Sequence, residues 1–341
     1  MAVRGVFGGS VGDTGTTTFL EQVGTEPTLA EARGWRRYLM KDACESDLSR
    51  RRFRLTRGPS RTVIENAEKS YVFGFNAVIS QEIEKIEEIS HDQRAFAYEG
   101  AGAACAVLDL ITLTRGRRLR ELLAGPATHH QFAAHLGAGR GYALLRLRPV
   151  RAGRRAHPLL RWLAVDGFGF GWSMARADRM VGERAMPDLL TRAHCALFDQ
   201  GLGRLLWYHD CASPDDVAAR VAAYPAIRRA ALWSGVGFAA AYTGGAEADE
   251  LWWLTDHAGA DGFRPHLAQG CAFAVAARAQ AGPLPDHVAQ AVPILTGGEP
   301  EEAASWADTA LMVLGHDPRS HEDYQAWQAH TRRLWARRHQ V

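Results

Sequence analysis

Six apolar stretches interrupted by glycine recur along the chain: YEGAGAACAVL, HLGAGRGYALL, VDGFGFGWSMA, DQGLGRLLWYH, WSGVGFAAAYT and AQGCAFAVAAR. Each places a glycine, one residue and a second small residue at the same point. The first glycines are Gly100, Gly137, Gly167, Gly201, Gly235 and Gly270, at steps of 37, 30, 34, 34 and 35 residues. A period of about 34 residues is that of helical hairpins stacked on one another. Between the glycines, SPDDVAARVAAYPAIRRAAL, EADELWWLTDHA and PLPDHVAQAVPIL each run from a turn signal into a second amphipathic pattern, which predicts the second helix of each hairpin. Ser213, followed by Pro214 and two acids, predicts a helix start, and Gly244-Gly245 a stop. Glycine inside a helix costs about 1 kcal/mol relative to alanine. Its return at one register predicts close backbone approach between neighbouring first helices.

The same pattern divides the chain. Residues 1–60, Gly/Thr-rich and then charged, read as an irregular N-terminal arm; residues 61–315 as a helical-repeat domain; residues 316–341 as a C-terminal amphipathic helix that either caps the array or lies free. ENAEKSYVFGFNAVIS reads as an irregular first helix around Gly74, with QEIEKIEEIS as its partner, and YALLRLRPV and RFRLTRG as short strands. The fold class is mainly α, an array of helical hairpins forming an open α-solenoid or a closed α/α toroid.

Composition narrows the functional classes. In 341 residues, 47% hydrophobic, there is material for a large core, and a formal charge of +2 gives no global field for nucleic acid or an anionic membrane. The absence of a long apolar run or a leader-like segment predicts no stable membrane insertion and a cytoplasmic location. Five cysteines, with no Cys-x-x-Cys pair, argue against a disulfide framework or a zinc ribbon.

Several motifs together, FAYEGAG, LLRWLAVDGFGF, FDQGLGRLLWY, SGVGFAAAYTGG and LAQGCAFAVAARAQAG, resemble the actinobacterial family known as domain of unknown function 1702, over roughly residues 53 to 315. The resemblance implies a role in secondary metabolism, in natural-product gene clusters that include those for enediyne polyketides. It implies no particular catalytic residues.

Candidate chemistry lies just before the repeated glycine. Glu99, Asp166, Gln200, Ser234 and Gln269 are polar there; the remaining stretch has Leu136, with His135 one residue earlier. These side chains either ring a shared interior or satisfy hydrogen bonds between helices. Charged carboxylates are seldom buried unless paired or functional, so Glu99 and Asp166 are candidate general acids, with Asp199 as a second carboxylate beside Gln200. Among ten tryptophans, Trp207 and Trp233, together with Tyr208, are candidates to shape a substrate cavity; core packing is the alternative. His135, Gln200, Ser234 and Gln269 complete the predicted substrate contacts.

The functional expectation is a cofactor-independent, acid-initiated cyclase or isomerase of a large apolar polyene, isoprenoid or polyketide intermediate. The alternative is a non-catalytic scaffold or chaperone that binds a synthase, a carrier protein or the intermediate. The Arg-rich stretch Arg146, Arg148, Arg151, Arg154, Arg155 and Arg161, and RGRRLR at 115–120, either grip a diphosphate, a phosphopantetheine arm or an acidic protein, or form a solvated face. No Walker loop, third fingerprint glycine, His-Glu-x-x-His or Asp-Asp-x-x-Asp occurs, so no cofactor or metal is predicted. Asp42, Glu45 and Asp47 read as an exposed acidic turn.

Overall fold

A computed structural model of the chain describes residues 27–51, 53–56, 58–149, 157–315 and 317–339. These residues are mainly helical, with no strand among them. Seven helices form a continuous succession in which each packs on the next: α1 (Pro59–Ser80), α2 (His91–Ile111), α4 (Gln131–Leu144), α5 (Leu163–Ala175), α6 (Cys195–His209), α8 (Ala226–Thr243) and α10 (Arg264–Ala281). Between or after them lie α3 (Arg117–Ala124), α7 (Pro214–Ala222), α9 (Ala248–Ala260), α11 (Asp286–Thr296) and α12 (Pro300–Val313). The last helix is α13 (His321–Arg338).

The glycines set the spacing of the seven. A Cβ on Gly137 would stand 1.8 Å from the carbonyl oxygen of Glu99, one on Gly167 1.8 Å from that of Leu136, one on Gly201 1.9 Å from that of Asp166, and one on Gly235 1.9 Å from that of Gln200. In each case the carbonyl belongs to the residue just before the first glycine of the preceding helix. The second glycine looks the other way: a Cβ on Gly102, Gly139 or Gly203 would meet the carbonyl oxygen of Ala134, Ala164 or Leu232 of the following helix at 2.2, 2.1 and 2.1 Å. Only glycine lets helix backbones approach this closely, and the carbonyls then rest against Cα–H groups. In α1, Gly74 meets Ala97 as a second glycine would, so Tyr71 takes the place that Glu99 holds in α2.

Local signals elsewhere have clear outcomes. Ser213 accepts from the Asp216 amide at the start of α7, and Gly244, at φ 76°, ends α8. The segment SPDDVAARVAAYPAIRRAAL is not one helix: α7 stops at Ala222, and the residues from Ala226 open α8. QEIEKIEEIS is not a partner helix but a short 3-10 turn, Ile83–Glu88, because Gln81 takes a left-handed conformation at φ 68° and interrupts the chain. YALLRLRPV is not a strand; Tyr142–Leu144 complete α4. Residues 53–56 of RFRLTRG form none either, and the Arg54 amide donates to the terminal carbonyl of α6 at His209. The Gly/Thr-rich part of the arm, residues 1–26, and Arg151, Arg154 and Arg155 lie outside the described residues. The rest of the arm makes short 3-10 turns capped by Asp42 and Asp47, and Lys41 pairs with Glu45.

Helix α13 is packed, with Ser320 and Asp323 forming a capping box. Trp327 stacks on Phe273 of α10 at 4.3 Å, lies 6.2 Å from Phe132 of α4, and donates its indole N–H to the Ala307 carbonyl. No helix among the described residues is long and apolar enough to cross a membrane.

Replacing Gly201 by alanine forces α5 and α6 apart and is expected to lower the unfolding free energy by about 3 kcal/mol or more. Gly259→Ala, where nothing lies within 4 Å of the new Cβ, is expected to raise it by up to about 1 kcal/mol. Urea unfolding midpoints of the two variants check the pair.

Candidate functional site

Residues four apart on a helix share a face. The residue before each first glycine therefore points the same way as the third residue after it, giving the pairs Leu136/Arg140, Asp166/Phe170, Gln200/Arg204 and Ser234/Phe238. On this face the structure gathers an ion network. Arg140 holds Glu68 of α1 as a fork, at 3.0 and 2.7 Å, and reaches Glu99 of α2 at 3.3 Å. Arg204 reaches the other oxygen of Glu99 at 3.4 Å and Asp166 Oδ1 at 2.9 Å. Flat groups fill the space between: Arg140 lies 3.4 Å from the ring centre of Tyr71 and 4.8 Å from that of Phe170, and Arg204 sits 5.0 and 5.1 Å from Phe170 and Phe238. All five charged side chains are buried, Glu99 to 2% exposure and Asp166 to 1%.

Acids outnumber cations in these direct contacts, and the buried Arg278, which donates to the Asp92 and Tyr242 carbonyls, adds positive charge that acts on Glu99. Three carboxylates share two guanidiniums. Burial opposes the charge on both arginines, but Glu68 and Glu99 for Arg140, and Glu99 and Asp166 for Arg204, hold them firmly protonated. The excess falls on Asp166. Burial, with the like charge of Glu99, outweighs the pull of Arg204 and pushes its carboxyl up to about 6.

Asp166 Oδ2 is buried and makes no hydrogen bond of ordinary length among the described residues, although the Gln200 side chain is near enough to favour the carboxylate. Gln269 Nε2 and His135 Nε2 are also buried without a partner among the described residues, the His135 ring lying edge-on to that of His157 at 6.5 Å. His135 Nδ1 lies 2.7 Å from the Gln131 carbonyl, so this nitrogen carries the proton and Nε2 is an open acceptor. Burial lowers the His135 imidazole to about 4 and keeps it neutral. Helix α13 lies across the same polar positions: Gln328 donates to Gln200 at 2.6 Å, and Arg332 donates to Gln269 at 3.2 Å. Ser234 also donates to Gln269, at 3.3 Å. Burial raises the Tyr324 phenol, with Asp166 adding to the shift, and brings Arg332 down to about 10. At its other end the network meets a small cleft of about 70 Å³ whose lining includes Glu68, Tyr71, Arg140, Lys41, Arg51 and Met174.

Of the residues named from sequence, Glu99, Asp166, Gln200, Ser234 and Gln269 face this interior, and Tyr208 reaches it through an edge contact with Phe170 at 5.1 Å. Others are held elsewhere. Asp199 is gripped by Arg228 at 2.5 to 3.1 Å, and burial raises its carboxyl despite that partner. The Trp207 indole donates to the Gly244 carbonyl, and that of Trp233 to Asp261 beyond the end of α9. Glu68, Arg140, Arg204, Tyr324, Gln328 and Arg332 escaped the sequence reading. For the two arginines a signal existed: the third position after the first glycine reads Ala103, Arg140, Phe170, Arg204, Phe238 and Phe273, a guanidinium or a ring in five of the six. Among the described residues, no three His, Cys, Asp or Glu side chains gather as a metal site requires.

The chain belongs to the family described as protein of unknown function (DUF1702), which it matches over residues 31–334. No curated protein and no solved structure matches it.

Removing one partner of a buried ion pair costs about 3–5 kcal/mol. Arg204→Met is expected to lower stability by that order at pH 8. At pH 5 the loss is smaller, because Asp166, already raised, then holds a proton and needs no cation. Denaturant melts at the two pH values check this.

Proposed function

We propose that this DUF1702 protein is a cofactor-independent acid catalyst of natural-product biosynthesis, and that Asp166 delivers the proton that starts cyclisation or isomerisation of a large apolar polyene, isoprenoid or polyketide intermediate. The observation that carries this reading is the state of Asp166. One oxygen is fixed by Arg204, the other is buried, with the Gln200 side chain near enough to favour the carboxylate, and the carboxyl still stands at about 6. A general acid works best with its pKa near the operating pH.

In this reading Arg204 orients the carboxyl and lowers the cost of the carboxylate left after proton transfer to a carbon–carbon double bond. Glu99 spans both arginines and serves as structural counter-charge rather than as acid. The Tyr324 hydroxyl, near enough to Asp166 for that charge to act on it, is a candidate to meet the substrate. The succession of seven glycine-packed helices fits one array of hairpins bent around this interior, as an α-solenoid or an α/α toroid does.

A second reading, a scaffold for a synthase or carrier protein, draws on the full pairing of Glu99 and Asp199, which leaves both without a chemical task. Asp166→Asn separates the two. A carboxyl raised in the fold costs stability as pH climbs through the window from 3.8 to about 6, so the amide is expected to lose that pH dependence and to stay folded at pH 7.5. As catalyst, the variant loses about 100-fold or more of product formation in a producing strain, with the unreacted intermediate accumulating. Wild-type product levels from a folded Asp166→Asn protein would instead support the scaffold.

A further inference from the structure

Helices α7, α9 and α11 stack side by side, away from the ion network. Helix α9 buries Leu251, Leu254, Thr255 and Ala258, which completes its packing against the rest of the protein. Its opposite side carries Asp249, Trp252, Trp253 and Asp256, spaced as one face, and the two indoles are 53% and 55% exposed. Two adjacent tryptophans left half in water have no task in the fold. Between α7 and α9 runs a groove of about 380 Å³ lined by Ala218, Ala219, Ala222 and Ala260 and edged by Asp215 and Asp261.

The three helices are themselves acidic. The three helices hold six acids, Asp215, Asp216, Asp249, Glu250, Asp256 and Asp286, against one arginine and no lysine. That arginine, Arg220, is committed to Asp210 at 3.0 Å. Asp216 pairs with Arg54, Asp215 with His257 and Asp261 with Arg229, whereas Asp249 and Asp256, flanking the tryptophans, make no salt bridge among the described residues. An indole face attracts a guanidinium, a carboxylate receives its fork, and a shallow groove between two helices admits the side-chain ridge of a third.

We infer that the face formed by Asp249, Trp252, Trp253 and Asp256, with the neighbouring alanine-lined groove, is a docking surface for an arginine-rich amphipathic helix of a partner protein. Guanidiniums of the partner lie over Trp252 and Trp253 and bond to Asp249 and Asp256, and its apolar side chains enter the groove. Acidic partners are repelled. The surface does not involve Asp166, so failure of this inference leaves the catalytic reading untouched, and the reverse also holds.

The test uses the full chain and a fluorescent synthetic amphipathic helix of arginine, leucine and alanine, followed by anisotropy. The wild type is expected to bind it, a peptide with lysine for arginine more weakly, and one with glutamate for arginine not at all. Trp252→Ser with Trp253→Ser, and separately Asp249→Asn with Asp256→Asn, are each expected to weaken binding by about tenfold or more. Because all four side chains are exposed, unchanged urea midpoints verify that the variants remain folded. Equal affinity for variants and wild type, or no binding by the wild type, overturns the inference. So does self-association of the wild type in sedimentation that Trp252→Ser abolishes, since the occupant is then a second copy of the chain.

Discussion

A carbonyl oxygen set against a helix that has no Cβ to receive it is the contact on which this structure depends. It repeats from Tyr71 against Gly100 to Ser234 against Gly270, and it draws seven helices close enough that a methyl group would not fit between them. The same register that places the glycine at the seam aims the residue before it, and the residue three after it, at the interior. Helix spacing and site composition are thus two readings of one repeat.

Such close helices leave a narrow interior, and what fills it is planar. Arg140 and Arg204 layer with Tyr71, Phe170 and Phe238, and their forks take up Glu68, Glu99 and Asp166. Burying so many charges stabilises the fold only through complete pairing. Here three carboxylates meet two guanidiniums directly, the buried Arg278 adds positive charge nearby, and below about pH 6 a proton on Asp166 offsets what remains. The imbalance is where structure passes into proposed chemistry: a purely structural network gains nothing from the odd carboxylate, whereas an acid catalyst needs one.

Much of this was legible in the chain. The recurring glycines marked the seams, Ser213 and Gly244 marked helix ends, and the polar residues before the glycines marked the interior face. What escaped depended on partners distant in sequence. Arg140 and Arg204 are surface residues by type, and only their position, four residues after Leu136 and Gln200, turns them inward. Glu68 lies in α1, before the first Gly-x-Gly stretch. Trp207, Trp233 and Asp199 share helices with interior residues but face their flanks, where the Gly244 carbonyl, Asp261 and Arg228 receive them. The acidic run after Ser80 has helical spacing, yet Gln81 turns the chain before a helix can form.

The central claim is that the interior carboxyl holding a proton below about pH 6 is that of Asp166. Difference infrared spectra of the wild type across pH 4 to 8, with Asp166→Asn as reference, measure this directly. The account predicts a buried carboxylic-acid band that belongs to Asp166 and disappears as pH rises through about 6. An Asp166 carboxylate band already present at pH 4, or a protonated band that survives in Asp166→Asn and belongs to Glu68 or Glu99, would contradict it.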